Sequence, residues 1–171
     1  MKAHVRLIAV MLIVGVLAVS AVAKDAPQPA GDVTLTVTGS IALTNGEGAF
    51  AMDEAMLRAL PQVEYLVADP WMGDNTYGGV LLSTLLEYVG FPAGASQVVL
   101  VCNDEAEFAI AVADLLAYPI MLVMDDADGA LLASLGGPIK VAYPYNAYPE
   151  IEDIYPPENW AWWVVEVRVE Y

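Results

Sequence analysis

Apolar and polar residues alternate with a period of two over Val33-Thr34-Leu35-Thr36-Val37-Thr38, which predicts a half-buried strand. A turn-rich stretch follows from Gly39 to Gly48. Asp53 to Leu60 then reads as a short helix, with its acids in the first turn, where they complement the helix dipole, and Pro61 as its stop. Val63 to Val67 is a second strand. Leu81, Leu82, Leu85, Leu86 and Val89 form one stripe at helical spacing, closed by Gly90. Gln97 to Cys102 is a strand, and Ala113 to Ala117 makes one or two helical turns. Ile120–Met124 and Ala130–Ala133 read as strands around Asp125-Asp126-Ala127-Asp128-Gly129. Ile139 to Ala142 is a buried strand. At the end of the chain Trp163, Val165, Val167 and Val169 alternate with Val164, Glu166, Arg168 and Glu170, a last strand with one charged face. Short strands mixed irregularly with short helices indicate an α+β fold.

Residues 1–23 read as a signal peptide. Lys2 and Arg6 form a positive start, Leu7 to Val19 is an apolar run short for a membrane span, and Ala21-Val22-Ala23 is a small-x-small cleavage site. A linker over 24–31 and one domain over 32–171 complete the expected organisation. The implied localisation is periplasmic or secreted, with no membrane span after cleavage.

Charge narrows the partners. All 22 acidic residues follow the cleavage site, where Lys24, Arg58, Lys140 and Arg168 are the only cations, so the processed chain carries −18. Such a surface repels nucleic acid and anionic lipid. Cys102 is the only cysteine, which excludes an internal disulfide and, in an apolar strand, reads as a core residue. His4, the only histidine, leaves with the signal peptide, so no Ser-His-Asp arrangement is possible. Acid–base chemistry would fall to Asp69, Asp74, Asp104 or Glu105, whose spacing pairs none of them. The Asp125–Gly129 loop lacks the glutamate of a calcium loop, because Leu135 stands at the twelfth position; Asp128-Gly129 is read as a hairpin turn.

Two segments carry a resemblance. Tyr77-Gly78-Gly79-Val80 opens the run to Gly90, and Gly136-Gly137-Pro138-Ile139-Lys140-Val141-Ala142-Tyr143-Pro144 follows at a distance. In this order they resemble the oxidoreductase molybdopterin-binding domain family, the fold of sulfite oxidase. The resemblance implies a mixed β-sheet core with short peripheral helices. It also implies a cysteine thiolate on molybdenum near Asp69 to Trp71, where this chain has none; neither aspartate nor tryptophan replaces a soft thiolate. Lys140 stands where the family has arginine, and Glu150, Glu152 and Asp153 follow where it has cations. Molybdopterin is thus possible only by resemblance, and no cofactor or metal is the expectation.

Between Tyr143 and Tyr171 lie eight aromatic residues and four prolines. These rings either line a recognition groove or pack over the sheet edge. The expected function is an exported binding or accessory protein without a catalytic molybdenum centre. Its ligand site would be the vacated cleft near Trp71, Asn103 and Lys140, taking a small ligand or an exported protein partner. The alternatives are a molybdopterin-dependent oxidoreductase or its subunit, and an acid-coated envelope protein. Cleavage after Ala23 predicts that N-terminal sequencing of the exported chain starts at Lys24; a mature chain that retains Met1 and sediments with membranes would overturn the export reading.

Overall fold

The computed structural model describes residues 26–171. The expected signal peptide therefore lies outside the described residues, as do the first two residues of the linker. The rest of the linker is tied down. Asn45 Nδ2 donates to the Pro27 carbonyl, and the amides of Ala30 and Gly31 donate to Asp53 Oδ2.

Two five-stranded sheets form the body, where the sequence suggested one mixed core. The first contains β1 (Val33–Gly39), β2 (Phe50–Asp53), β5 (Gln97–Cys102), β6 (Glu107–Ala111) and β10 (Val164–Glu170), in the order β2-β1-β10-β5-β6. Its β1–β10 pair is parallel and the other pairs are antiparallel. The second contains β3 (Gln62–Asp69), β4 (Gly73–Leu81), β7 (Met121–Asp126), β8 (Gly129–Ala130) and β9 (Lys140–Ala142). Here β3, β4, β7 and β8 run side by side, and β9 also pairs with β7, all antiparallel.

The helices are short: α1 (Glu54–Ala59), α2 (Leu82–Val89), α3 (Val112–Ala117) and α4 (Ile151–Ile154). Asp53 is not in the first turn of α1 but caps it, accepting from the Met56 amide at 2.9 Å. Leu82, Leu85, Leu86 and Val89 of α2 are buried, and Gly90 ends the helix with φ 68°. Leu81 lies just outside α2 in extended conformation. Among the described residues no helix is long and apolar enough to cross a membrane.

Three strands escape the sequence pattern. β4 is rich in glycine and polar residues, and β2 and β6 are short. Pairing with neighbouring strands overrides their weak local preference. Of the expected Ala130–Ala133 strand only Ala130 lies in β8; Leu131 and Leu132 belong to no element, and Ala133 starts a 3-10 turn over Ala133–Leu135. In β10 a register shift between Val164 and Glu166 breaks the expected alternation. Val164 is buried and Val165 is exposed, because an extra residue at a bulge turns the side chains before it to the other face.

Gly79 shows why the first motif needs a glycine. It sits in β4 opposite Val123 of β7, and a Cβ there would lie 2.0 Å from the Leu122 carbonyl oxygen. Backbone is not free to yield. Gly79→Ala is therefore expected to destabilise the fold by about 1–3 kcal/mol, the range of overpacking in a well-packed core. Urea denaturation checks this; an unchanged midpoint would contradict the packing argument.

Candidate functional site

The buried polar centre is built from three strands. Asp69 ends β3, Tyr77 lies inside β4 and Lys140 opens β9. Lys140 faces Val123 of β7 in register, and Val123 faces Gly79 of β4, so β7 lies between the strands of Lys140 and Tyr77. Lys140 Nζ lies 2.9 Å from Asp69 Oδ2 and 2.8 Å from the Tyr77 hydroxyl. The Tyr77 hydroxyl donates to the same Asp69 oxygen at 2.7 Å. Both charged side chains are fully shielded from solvent. The ammonium also lies 4.3 Å from the Tyr77 ring centre, 5.3 Å from the Trp162 ring and 5.7 Å from the Trp160 ring. Asp69 Oδ1 accepts from the amides of Trp71 and Met72 at 2.8 and 2.9 Å.

Burial alone would raise the Asp69 pKa. The hydrogen bonds from Lys140, Tyr77 and the two amides outweigh it and hold the carboxyl below its usual value. Burial and the Asp69 charge push the Tyr77 hydroxyl upward, so it stays a donor.

Above this centre lies a pocket of about 280 Å³. Trp71, Trp160, Trp162, Trp163 and Phe108 supply its rings, and Asp104 and Glu158 its charges. Trp71 meets Trp160 and Trp162 edge-to-face, at 5.8 and 5.6 Å between ring centres. Trp163 meets Trp162 at 5.8 Å. Gly136, at φ 93°, lies against the Trp162 ring, where a Cβ would approach to 2.9 Å. The second motif thus lets the indole sit close to the backbone. Cys102 is at the floor; burial first, and then the Asp104 charge, push its thiol up to about 11.

The three expected site residues therefore have different positions. Trp71 lines the pocket. Asn103 is exposed, with the lining residues Cys102 and Asp104 on either side of it. Lys140 lies beneath, closed off by its ion pair, and does not line the pocket. The four candidate carboxylates do not form a catalytic pair. Asp69 is committed to Lys140, Asp74 is exposed and faces Asn146 at 3.4 Å, Asp104 caps its own turn through the Ala106 amide, and Glu105 is exposed. The hairpin expected at Asp128-Gly129 is present one residue earlier: Asp126 pairs with Gly129 across β7 and β8, so Ala127 and Asp128 form the turn and Gly129 opens β8.

The aromatic tail is divided between the two roles considered for it. Tyr143 stacks on Tyr155 at 5.1 Å and on Tyr145 at 6.1 Å, all buried. Trp160 Nε1 donates to the Tyr145 hydroxyl at 2.9 Å. Tyr148 packs edge-on against Tyr118. Trp160, Trp162 and Trp163 reach the pocket. Phe108 has no signal in the sequence, because β6 is a short strand that forms by pairing with β5.

A molybdenum thiolate does not fit these residues. No cysteine lies at Asp69 to Trp71, the single thiol at Cys102 is held protonated, and no group of three or more metal-ligating side chains occurs among the described residues. Among the described residues, the cations that a pterin phosphate would need are also paired. Arg58 holds Asp125 and Glu54, Arg168 holds Glu107 and Glu170, and Lys140 holds Asp69.

No protein-family model and no curated protein matches the sequence. Among solved structures the fold is similar to the sulfane dehydrogenase SoxCD from Paracoccus pantotrophus, with a TM-score of 0.63 and 16% identity. The match covers 80% of this chain and 37% of that one, so this chain spans little more than a third of its neighbour. The likeness supports a distant molybdopterin-oxidoreductase-like fold.

Lys140→Met would leave a carboxylate buried without its cation and is expected to cost about 3–5 kcal/mol. Adding Asp69→Asn should recover a large part, since a neutral amide still accepts from the Trp71 and Met72 amides. Because the folded pKa of Asp69 is depressed, the pair's stability is complete above the unfolded carboxyl value of about 3.9 and drains away as pH falls toward the folded one. Denaturation of both variants across pH checks this; a Lys140→Met protein as stable as wild type would refute it.

Proposed function

We propose that this chain is an exported binding or accessory protein on a molybdopterin-oxidoreductase-like fold, without a catalytic molybdenum centre. The observation that carries the reading is the fate of the cations. Arg58, Lys140 and Arg168 are each held by carboxylates, and Lys140, the one basic residue of the second motif, has no exposed surface. Among the described residues, a phosphate-bearing pterin would have to compete with one of these pairs, inside a chain of formal charge −16. The ligand-binding half of the reading rests on the Trp71 pocket, which joins aromatic contact area with a few polar groups, as small-molecule sites do.

Expression in a host that makes the molybdenum cofactor, followed by gel filtration and elemental analysis, tests the proposal. The expected result is protein free of stoichiometric molybdenum and without cofactor absorbance. Near-stoichiometric metal that survives gel filtration would favour a molybdopterin-dependent oxidoreductase or its subunit.

A further inference from the structure

We propose that the Trp71 pocket binds a small organic cation of the quaternary or methylated ammonium class. The assignment rests on the binding-protein reading above and gives that reading a ligand chemistry.

Aromatic rings and carboxylates are the two groups that such a head group needs together. A ring face carries negative quadrupole charge, and indole offers the strongest face of the natural side chains. Four indoles converge here, from Trp71, Trp160, Trp162 and Trp163. The Trp71 ring is half-exposed, at 52%, although a tryptophan gains by burial. Trp71 packs edge-to-face on both Trp160 and Trp162, which fixes its ring beside theirs. Asp104 and Glu158 supply charge at the same pocket. No arginine or lysine lines it.

The groups beneath do not oppose a cation. Lys140 lies under Trp160 and Trp162, but Asp69 neutralises it at 2.9 Å. Its position also shows that these two indoles already accept a positive charge from below. Cys102 at the floor is a protonated thiol and behaves as a small apolar group. An anion would meet Asp104, Glu158 and a strongly acidic chain. A neutral apolar ligand would leave both carboxylates without a purpose.

The backbone gives separate support. Trp163 has φ 55°, a left-handed conformation that a bulky side chain rarely adopts. It is held there by three hydrogen bonds. Its amide donates to Gly136, its carbonyl accepts from the Asn103 amide, and its indole Nε1 donates to the Ala133 carbonyl at 2.7 Å. Strain maintained in this way at a cleft marks a side chain whose placement matters. Size agrees as well: about 280 Å³ is just under the usual range of roughly 300–1,000 Å³ for ligand sites, which suits a small head group.

Tryptophan fluorescence and calorimetric titration of the full processed chain with choline test the assignment. The control is 3,3-dimethylbutan-1-ol, the neutral carbon isostere of choline. Choline should bind saturably and about tenfold more tightly than the isostere, the difference a desolvated cation–ring contact makes. Trp71→Ala should weaken choline about tenfold. The ring is half-exposed, so the variant is expected to fold, which its urea midpoint verifies. Asp104→Asn combined with Glu158→Gln should weaken binding about threefold or more at low salt, and less at high salt, where exposed charges are screened. A capped trimethyllysine peptide, titrated in parallel, separates a cation carried on a partner from a free one: whichever binds tighter names the source. Equal binding of choline and its isostere, an unaltered affinity in Trp71→Ala, or no saturable binding of either cation would overturn the assignment. Failure here in a molybdenum-free protein removes the ligand alone; molybdenum in the purified chain removes the binding-protein reading itself.

Discussion

A lysine ammonium with no exposed surface must be compensated or the chain does not fold, because an ion of this size loses several kcal/mol on leaving water. Lys140 is compensated by Asp69, by the Tyr77 hydroxyl and by three aromatic faces. Those contacts tie β3, β4 and β9 together around β7. They also set the surface above. The second oxygen of Asp69 accepts from the amides of Trp71 and Met72, which shapes the turn that carries Trp71 into the pocket. One carboxylate therefore neutralises the buried cation with one oxygen and positions the pocket's outermost ring with the other.

This arrangement changes what the fold can do. Both positions that the family resemblance marks for cofactor chemistry, the stretch from Asp69 to Trp71 and Lys140, are used for an internal ion pair and the turn attached to it. A soft metal finds no thiolate there, and among the described residues a phosphate finds each cation paired with a carboxylate. What is left accessible is an indole-lined depression with carboxylates, whose chemistry is opposite in sign to an anion site. The fold likeness to SoxCD is compatible with this, since a shared fold does not carry a shared site.

The final thirty residues do two jobs at once. Tyr143, Tyr145 and Tyr155 stack inside and receive or donate hydrogen bonds, as buried phenols require. Burial raises all three hydroxyls, Tyr145 and Tyr155 to about 12, so they remain donors at any physiological pH. Trp160 bridges the two populations, with its Nε1 on Tyr145 and its ring facing the pocket. Trp162 and Trp163 then complete the pocket, against the glycine at position 136 that leaves room for the indole.

Local pattern was enough for part of this. The alternation in β1, the leucine stripe of α2 with its Gly90 cap, the apolar run of β5 and a hairpin at the end of β7, one residue before the expected turn, depend on neighbours in the chain, and each is legible. So was the importance of the two glycine-bearing segments, although not its cause. β4, β2 and β6 were not legible, because their residues extend only when strands from elsewhere pair with them. The bulge in β10 was hidden for the same reason: it is a mismatch with β5, not a property of β10. Of the site, the sequence singled out Trp71, Asn103 and Lys140 and the aromatic tail. Only tertiary structure decided that Lys140 is sealed beneath the pocket and that Phe108 joins it. Asp69 and Lys140 are 71 residues apart, and a charge pair at that separation has no local signature; it exists because two strands on opposite sides of β7 bring the groups within 2.9 Å of each other, shielded from solvent.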